Sequence, residues 1–238
     1  MTPTRTACTA AALACAALGA NAQGDCHPPR PTLLVERYLS ADCAPCWSAV
    51  PPLPEGAAGR GRPFVLDWIV PGARGDAAPL AVAAVPEAQA RVARAGVLRS
   101  DEALTQTTPL AARSELRVEA RDGPAFKGYI GLQFDAAYAG ARPLPPGLTG
   151  WLALVERVAA GSEGTPVERT LVRTLVGPLP LDELPARHAV RHLRAARVPE
   201  NAKPERLSVV AWVETRSGKV LAVAARHDPD CDPPAPAQ

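Results

Sequence analysis

The stretch Leu33-Leu34-Val35-Glu36-Arg37-Tyr38-Leu39-Ser40-Ala41-Asp42-Cys43-Ala44-Pro45-Cys46 decides how this chain is read. Its first part is a short apolar run and predicts a buried strand over residues 32–40. Its end is a pair of cysteines two residues apart. A strand that hands a CxxC pair to the start of a helix places the first thiol near unpaired N–H groups and the positive end of the helix dipole, which lowers its pKa. The second thiol, about one turn on, is placed to resolve a mixed disulfide. Cys43 is therefore the candidate attacking thiol and Cys46 the candidate resolving thiol. The competing reading is a static structural disulfide.

Working outward, the N-terminus gives an address. Met1 to Arg5 is short and positive, and Ala7 to Leu18 is small and apolar but too short to span a bilayer. Ala20-Asn21-Ala22 fits a small-x-small cleavage site, so residues 1–22 are expected to be a signal peptide and the mature protein periplasmic or secreted. A lipoprotein signal anchored at Cys15 is the lesser alternative. Cleavage leaves Cys26, Cys43, Cys46 and Cys231. An even number in an exported protein suggests disulfides. With Cys43 and Cys46 as one pair, Cys26 and Cys231 stand near the two ends as a candidate structural clasp. The alternatives are that one or both are free, or that one of them resolves Cys43 or Cys46.

Composition narrows the function classes. Hydrophobic content of 47% is that of a globular protein, and a net charge of +2 gives no electrostatic case for nucleic acid or an anionic membrane. Pro, at 27 residues, is about twice its usual share and falls mostly between apolar runs, as in a chain with many strand ends. No later segment is long and apolar enough for a transmembrane helix in the mature form. No phosphate loop, dinucleotide fingerprint or Ser-His-Asp pattern is present, so no cofactor is expected. A zinc site would need two more close ligands, and His27, His188, His192 and His227 are scattered, so no metal is expected; copper held by Cys43, Cys46 and a histidine is a minor alternative.

Periodicity divides the chain in two. From Pro31 to about Pro109, strand and helix alternate: a helix from Cys43 cut short by Pro51, Pro52 and Pro54, a strand over 62–70, and a helix from Pro86 to a stop at Gly96. That order implies a parallel strand pair. From about Ser114 the pattern has period two, beginning at Glu115–Arg121. Strands are predicted at Gly128–Phe134, Trp151–Val158, Arg169–Val176, Ala189–Ala195, Leu207–Glu214 and Val220–Ala225, with turn signals at Asp122-Gly123 and Arg216–Lys219. Residues 181–193 also read as a helix, since His188, Arg191 and His192 share helical spacing. The expected fold class is α/β plus all-β. A shortened N-terminal α/β domain (23–112) would be followed by an antiparallel, immunoglobulin-like β-sandwich (113–227) and a disordered tail (228–238).

Val35, Glu36, Ser40, Cys43 and Cys46 fall in the register of a Val-Glu-Leu-Phe-Thr-Ser-x-x-Cys-x-x-Cys opening. In this the chain resembles a secreted, thioredoxin-like bacterial family of unknown function, which has a C-terminal β-rich part. Thr108-Pro109 matches the family's Thr-Pro pair. The resemblance implies a thioredoxin-like N-terminal domain and makes Pro109 the candidate cis-proline beside the cysteines; otherwise it is a plain loop proline. Glu36, inside an apolar strand just before the pair, is a candidate proton relay to the resolving thiol, or else an outward-facing surface residue. The function expected is thiol–disulfide exchange with envelope protein thiols or disulfides. The alternative is a non-catalytic envelope binding or assembly module. Sulfurs buried far from any groove, together with a distant Pro109, would argue against exchange.

Overall fold

The computed structural model describes residues 31–52, 63–111 and 114–225. Residues 1–22, Cys26, Cys231 and the 228–238 tail, with the readings attached to them, lie outside the described residues. The described chain is mostly β. Its strands are β1 (Leu33–Ser40), β2 (Pro63–Val70), β3 (Ala103–Pro109), β4 (Leu116–Phe126), β5 (Tyr129–Tyr138), β6 (Thr149–Val158), β7 (Arg169–Pro180), β8 (Ala189–Arg197), β9 (Leu207–Glu214) and β10 (Val220–Ala225). The α-helices are short: α1 (Ala44–Ser48), α2 (Glu87–Ala95) and α3 (Leu184–Arg187).

The expected pairing of an α/β thioredoxin-like domain with a separate sandwich is overturned. One sheet of order β10-β9-β6-β7-β2-β1-β3 runs through both halves of the chain. β1 and β2 are parallel as expected, but β2 pairs on its other side with β7, also parallel, at Asp67 and Leu171. The large sheet and the core under α2 therefore both draw residues from either side of position 112/113. The second sheet has only three strands, β4-β5-β8, all antiparallel. The N-terminal half supplies two helices, of five and nine residues, too few to cover a parallel sheet on both faces.

The two faces of the large sheet are buried differently. On one, Leu152, Leu154, Val209, Ala211 and Val213 pack against Leu116, Ile130, Leu132 and Phe134 of the small sheet. Farther along that face Leu39, Ile69 and Leu171 are covered by Cys46, Trp47 and two 3-10 turns at Gly75–Ala77 and Ala81–Ala83. On the opposite face Tyr38, Trp68, Val155, Val172 and Trp212 lie under α2 through Ala88 and Val92. Alternation along β1, β2, β6 and β9 produces this division, and β7 and β10 depart from it where their pairing shifts register.

Three local expectations also change. Asp122-Gly123 is no turn: β4 runs through it with a register shift between Asp122 and Ala125, and the chain reverses at Lys127-Gly128, both with positive φ. Of residues 181–193 only Leu184–Arg187 is helical, ended by His188 in the left-handed region before β8 begins. The edge strand β3 has no counterpart among the expected elements.

Candidate functional site

α1 exists because Cys43 caps it and Pro45 fits its first turn, where a missing N–H is no loss. It stops because Ala49 turns extended and Val50 precedes Pro51, which disfavours helical backbone. Cys43 and Cys46 are disulfide-bonded across this turn, with Cα atoms 5.3 Å apart. Cys43 Sγ accepts the Cys46 backbone N–H at 3.2 Å.

The two sulfurs differ in access. Cys43 is 3% exposed, while Cys46 is half-buried. This reverses the expected order, in which Cys43 meets the partner. Cys46 Sγ also lies 3.7 Å from the Asp101 carbonyl oxygen, just before β3, so the open edge strand starts beside the more accessible sulfur.

The last carbonyls of a helix lack intrahelical partners, and in five residues they are most of the helix. Here one side chain collects them. Arg169 Nη2 donates to the carbonyl oxygens of Cys46 (3.3 Å), Trp47 (2.8 Å) and Ala49 (3.1 Å). Its Nη1 meets Asp67 Oδ1 at 3.2 Å and its Nε donates to Thr165 Oγ1 at 3.1 Å. The guanidinium lies over the Trp47 ring, 5.2 Å from its centroid. Arg169 is 1% exposed and Asp67 fully buried. Burial disfavours the charged guanidinium and lowers its pKa, with Asp67 acting in the other direction. Asp67 Oδ2 also accepts from Arg37 (2.6 Å) and from the Thr170 backbone N–H (2.9 Å). The β6–β7 loop closes the same side, where Trp47 Nε1 donates to the Glu163 carbonyl oxygen at 2.7 Å.

The other candidates lie elsewhere. Pro109 pairs with Leu33, at the far end of β1 from the cysteines, about 23 Å along the strand at ~3.3 Å per residue. The one cis peptide among the described residues is Gly177–Pro178. Pro109 therefore does not flank the disulfide. Glu36 is neither on an outer face nor at the sulfurs. It is buried, about 13 Å of strand before Ser40, and accepts from Arg91 Nε at 2.5 Å. Arg91 Nη1 also reaches Glu214 at 2.9 Å, and its guanidinium sits between the Trp68 and Trp212 rings. Glu36 is thus part of a buried ion cluster.

The residues that sequence reasoning missed are Arg169, Asp67 and Thr165. Asp67 inside the apolar run of β2 was the one available signal, because a carboxylate in a buried strand requires a partner. Among the described residues no group of three His, Cys, Asp or Glu side chains is arranged to hold a metal, and no helix is long and apolar enough to cross a membrane.

No family model matches the chain, and no curated protein matches it. Among solved structures it is similar to HBP35 of Porphyromonas gingivalis, over 88% of this chain and 79% of that chain, with a TM-score of 0.54. Identity is 9%, so the likeness is one of fold alone.

Proposed function

We propose that this chain is an exported thiol–disulfide oxidoreductase acting through Cys43 and Cys46. The observation that carries the reading is a bonded CxxC pair at a strand-to-helix turn with one sulfur buried and the other reachable. Exchange needs access to one sulfur only. A partner thiolate attacks Cys46 Sγ, the Cys43–Cys46 bond breaks, and its electron pair goes to Cys43 Sγ. The Cys46 N–H already points at that sulfur and stabilises the thiolate as it forms. A second partner thiolate then attacks the partner's own sulfur in the mixed disulfide, and Cys46 leaves as a thiolate. Two electrons have passed to the pair and the partners leave as a disulfide; the reverse sequence reduces a partner disulfide. The signal-like residues 1–22 and the resemblance at Val35–Cys46 support an oxidising compartment outside the cytoplasm.

A distant Pro109 favours the second reading, a binding or assembly module in which this disulfide is a staple. Trapping separates the two. Cys43→Ser leaves Cys46 reachable with no neighbour to displace a bound partner, so mixed disulfides should accumulate. Cys46→Ser leaves only the buried thiol and should trap far less. If neither variant forms adducts, and the wild-type bond survives strong reductant, the staple reading stands instead.

A further inference from the structure

Arg169 stands 123 residues from Cys46 in sequence, yet its guanidinium serves the carbonyls of Cys46, Trp47 and Ala49 at the end of α1. A buried arginine with an acidic partner is ordinarily a structural pair. Here the pair is incomplete as a neutralised unit. Asp67 divides its carboxylate among Arg169, Arg37 and the Thr170 N–H, so two guanidinium groups share one buried carboxylate. The excess positive charge lies against the peptide that carries Cys46 Sγ. The oxidised pair is neutral, whereas its reduced form can carry a thiolate. A fixed buried cation therefore stabilises the reduced form more than the oxidised one, and fixed hydrogen bonds keep the turn the same in both.

We propose that Arg169 is the positioning residue of this disulfide: it holds the carbonyl end of α1 from β7 and makes the Cys43–Cys46 bond easier to reduce. The inference rests on the exchange reading above. It predicts a sign for each neighbour. Removing the Arg169 charge makes the bond more reducing; removing the Asp67 charge exposes more of the Arg169 field and makes it more oxidising.

The test is equilibration of the full chain with mixtures of reduced and oxidised glutathione. The first glutathione thiolate forms a mixed disulfide at Cys46 and releases Cys43. The second attacks the glutathione sulfur, so oxidised glutathione leaves and the protein pair holds two electrons. After acid quench and alkylation, the tryptic peptide 38–60, which contains Cys43 and Cys46 and no other cysteine, reports the reduced fraction by mass. Arg169→Met should lower the equilibrium constant for reduction about tenfold, about 30 mV for this two-electron couple. Arg169→Lys, which keeps the charge without the fork, should fall less. Asp67→Asn should raise the constant. General loosening of the turn would move all three variants the same way, and that result overturns the proposal. So does Arg169→Met within twofold of wild type with its circular dichroism unchanged. Should Arg169→Met not fold, Arg169→Lys and Asp67→Asn moving in opposite directions support the proposal, and any other pattern overturns it. If the wild-type peptide never equilibrates with glutathione, the exchange reading itself fails, which is a different result from equilibration without a shift.

Discussion

At the scale of single residues the chain stakes stability on buried polar groups. Tyr38 lies fully buried on β1 next to the Glu36–Arg91 pair. Burial first, and the Glu36 carboxylate second, push its hydroxyl well above the usual value of 10.0. The neutral phenol is therefore favoured by folding. Its contribution is complete below about pH 10 and is lost as pH climbs toward the raised folded value, at up to about 1.4 kcal/mol per pH unit. Tyr38→Phe should lose stability more shallowly than wild type between about pH 9 and about pH 11. Urea midpoints at the two pH values check this, and parallel curves for the two proteins would refute it.

At the scale of elements, the Arg91 cluster explains how α2 is seated and how the sheet bends. In the order β9-β6-β7-β2-β1, strands β9 and β1 are four spacings apart, about 19 Å in a flat sheet at ~4.8 Å each. Yet one guanidinium touches Glu36 of β1 and Glu214 of β9, and the Trp68 and Trp212 rings are 6.3 Å apart. The large sheet must curl around this face, and two register shifts in the β6–β7 pairing, each with the extra residue in β7 (between Leu179 and Val176 and between Thr174 and Val172), supply local bends. Gly150 also lets Phe134 lie against β6, since a Cβ there would come within 2.7 Å of the ring. Arg91→Met strips Glu36 of its buried cation and leaves Glu214 with Arg94 and the Trp212 N–H alone, and should cost about 3–5 kcal/mol by urea denaturation. Adding Glu36→Gln and Glu214→Gln should recover part of the loss. An Arg91→Met protein as stable as wild type would show that the cluster does not hold α2.

At the scale of the whole molecule, the seam between β2 and β7 makes one unit of what periodicity divides into two. Its ladder is thin, with the Asp67–Leu171 register pair reinforced by the Asp67 side chain bonding the Thr170 N–H. Unfolding should therefore be a single transition, with calorimetric and van't Hoff enthalpies in agreement. A fragment of residues 1–112 should lack native structure. Two resolved transitions would restore the two-domain picture. The limits of sequence reading follow the same geometry. Apolar alternation reports which face of a strand is buried, so β1, β2, α2, β9 and β10 were legible to within a residue or two. It does not report which strand lies alongside, so the β2–β7 pairing stayed hidden. β3, whose Thr and Gln side chains are half-buried or exposed at the sheet edge, carried no apolar signal. The cysteine turn was legible because its chemistry is local. Arg169 was not, because an arginine opening a strand reads as an ordinary surface cation.

That separation has a consequence for how the protein is made. Chains emerge from the ribosome N-terminus first. Cys43 and Cys46 are thus synthesised more than a hundred residues before Arg169, Thr165 and the loop that receives Trp47. Until β7 arrives, the two thiols sit on a nascent segment whose carbonyl end lacks its Arg169 partner, open to pairing with any other cysteine at hand. The site is begun first and finished late, and its fidelity depends on which thiols the young chain meets in between.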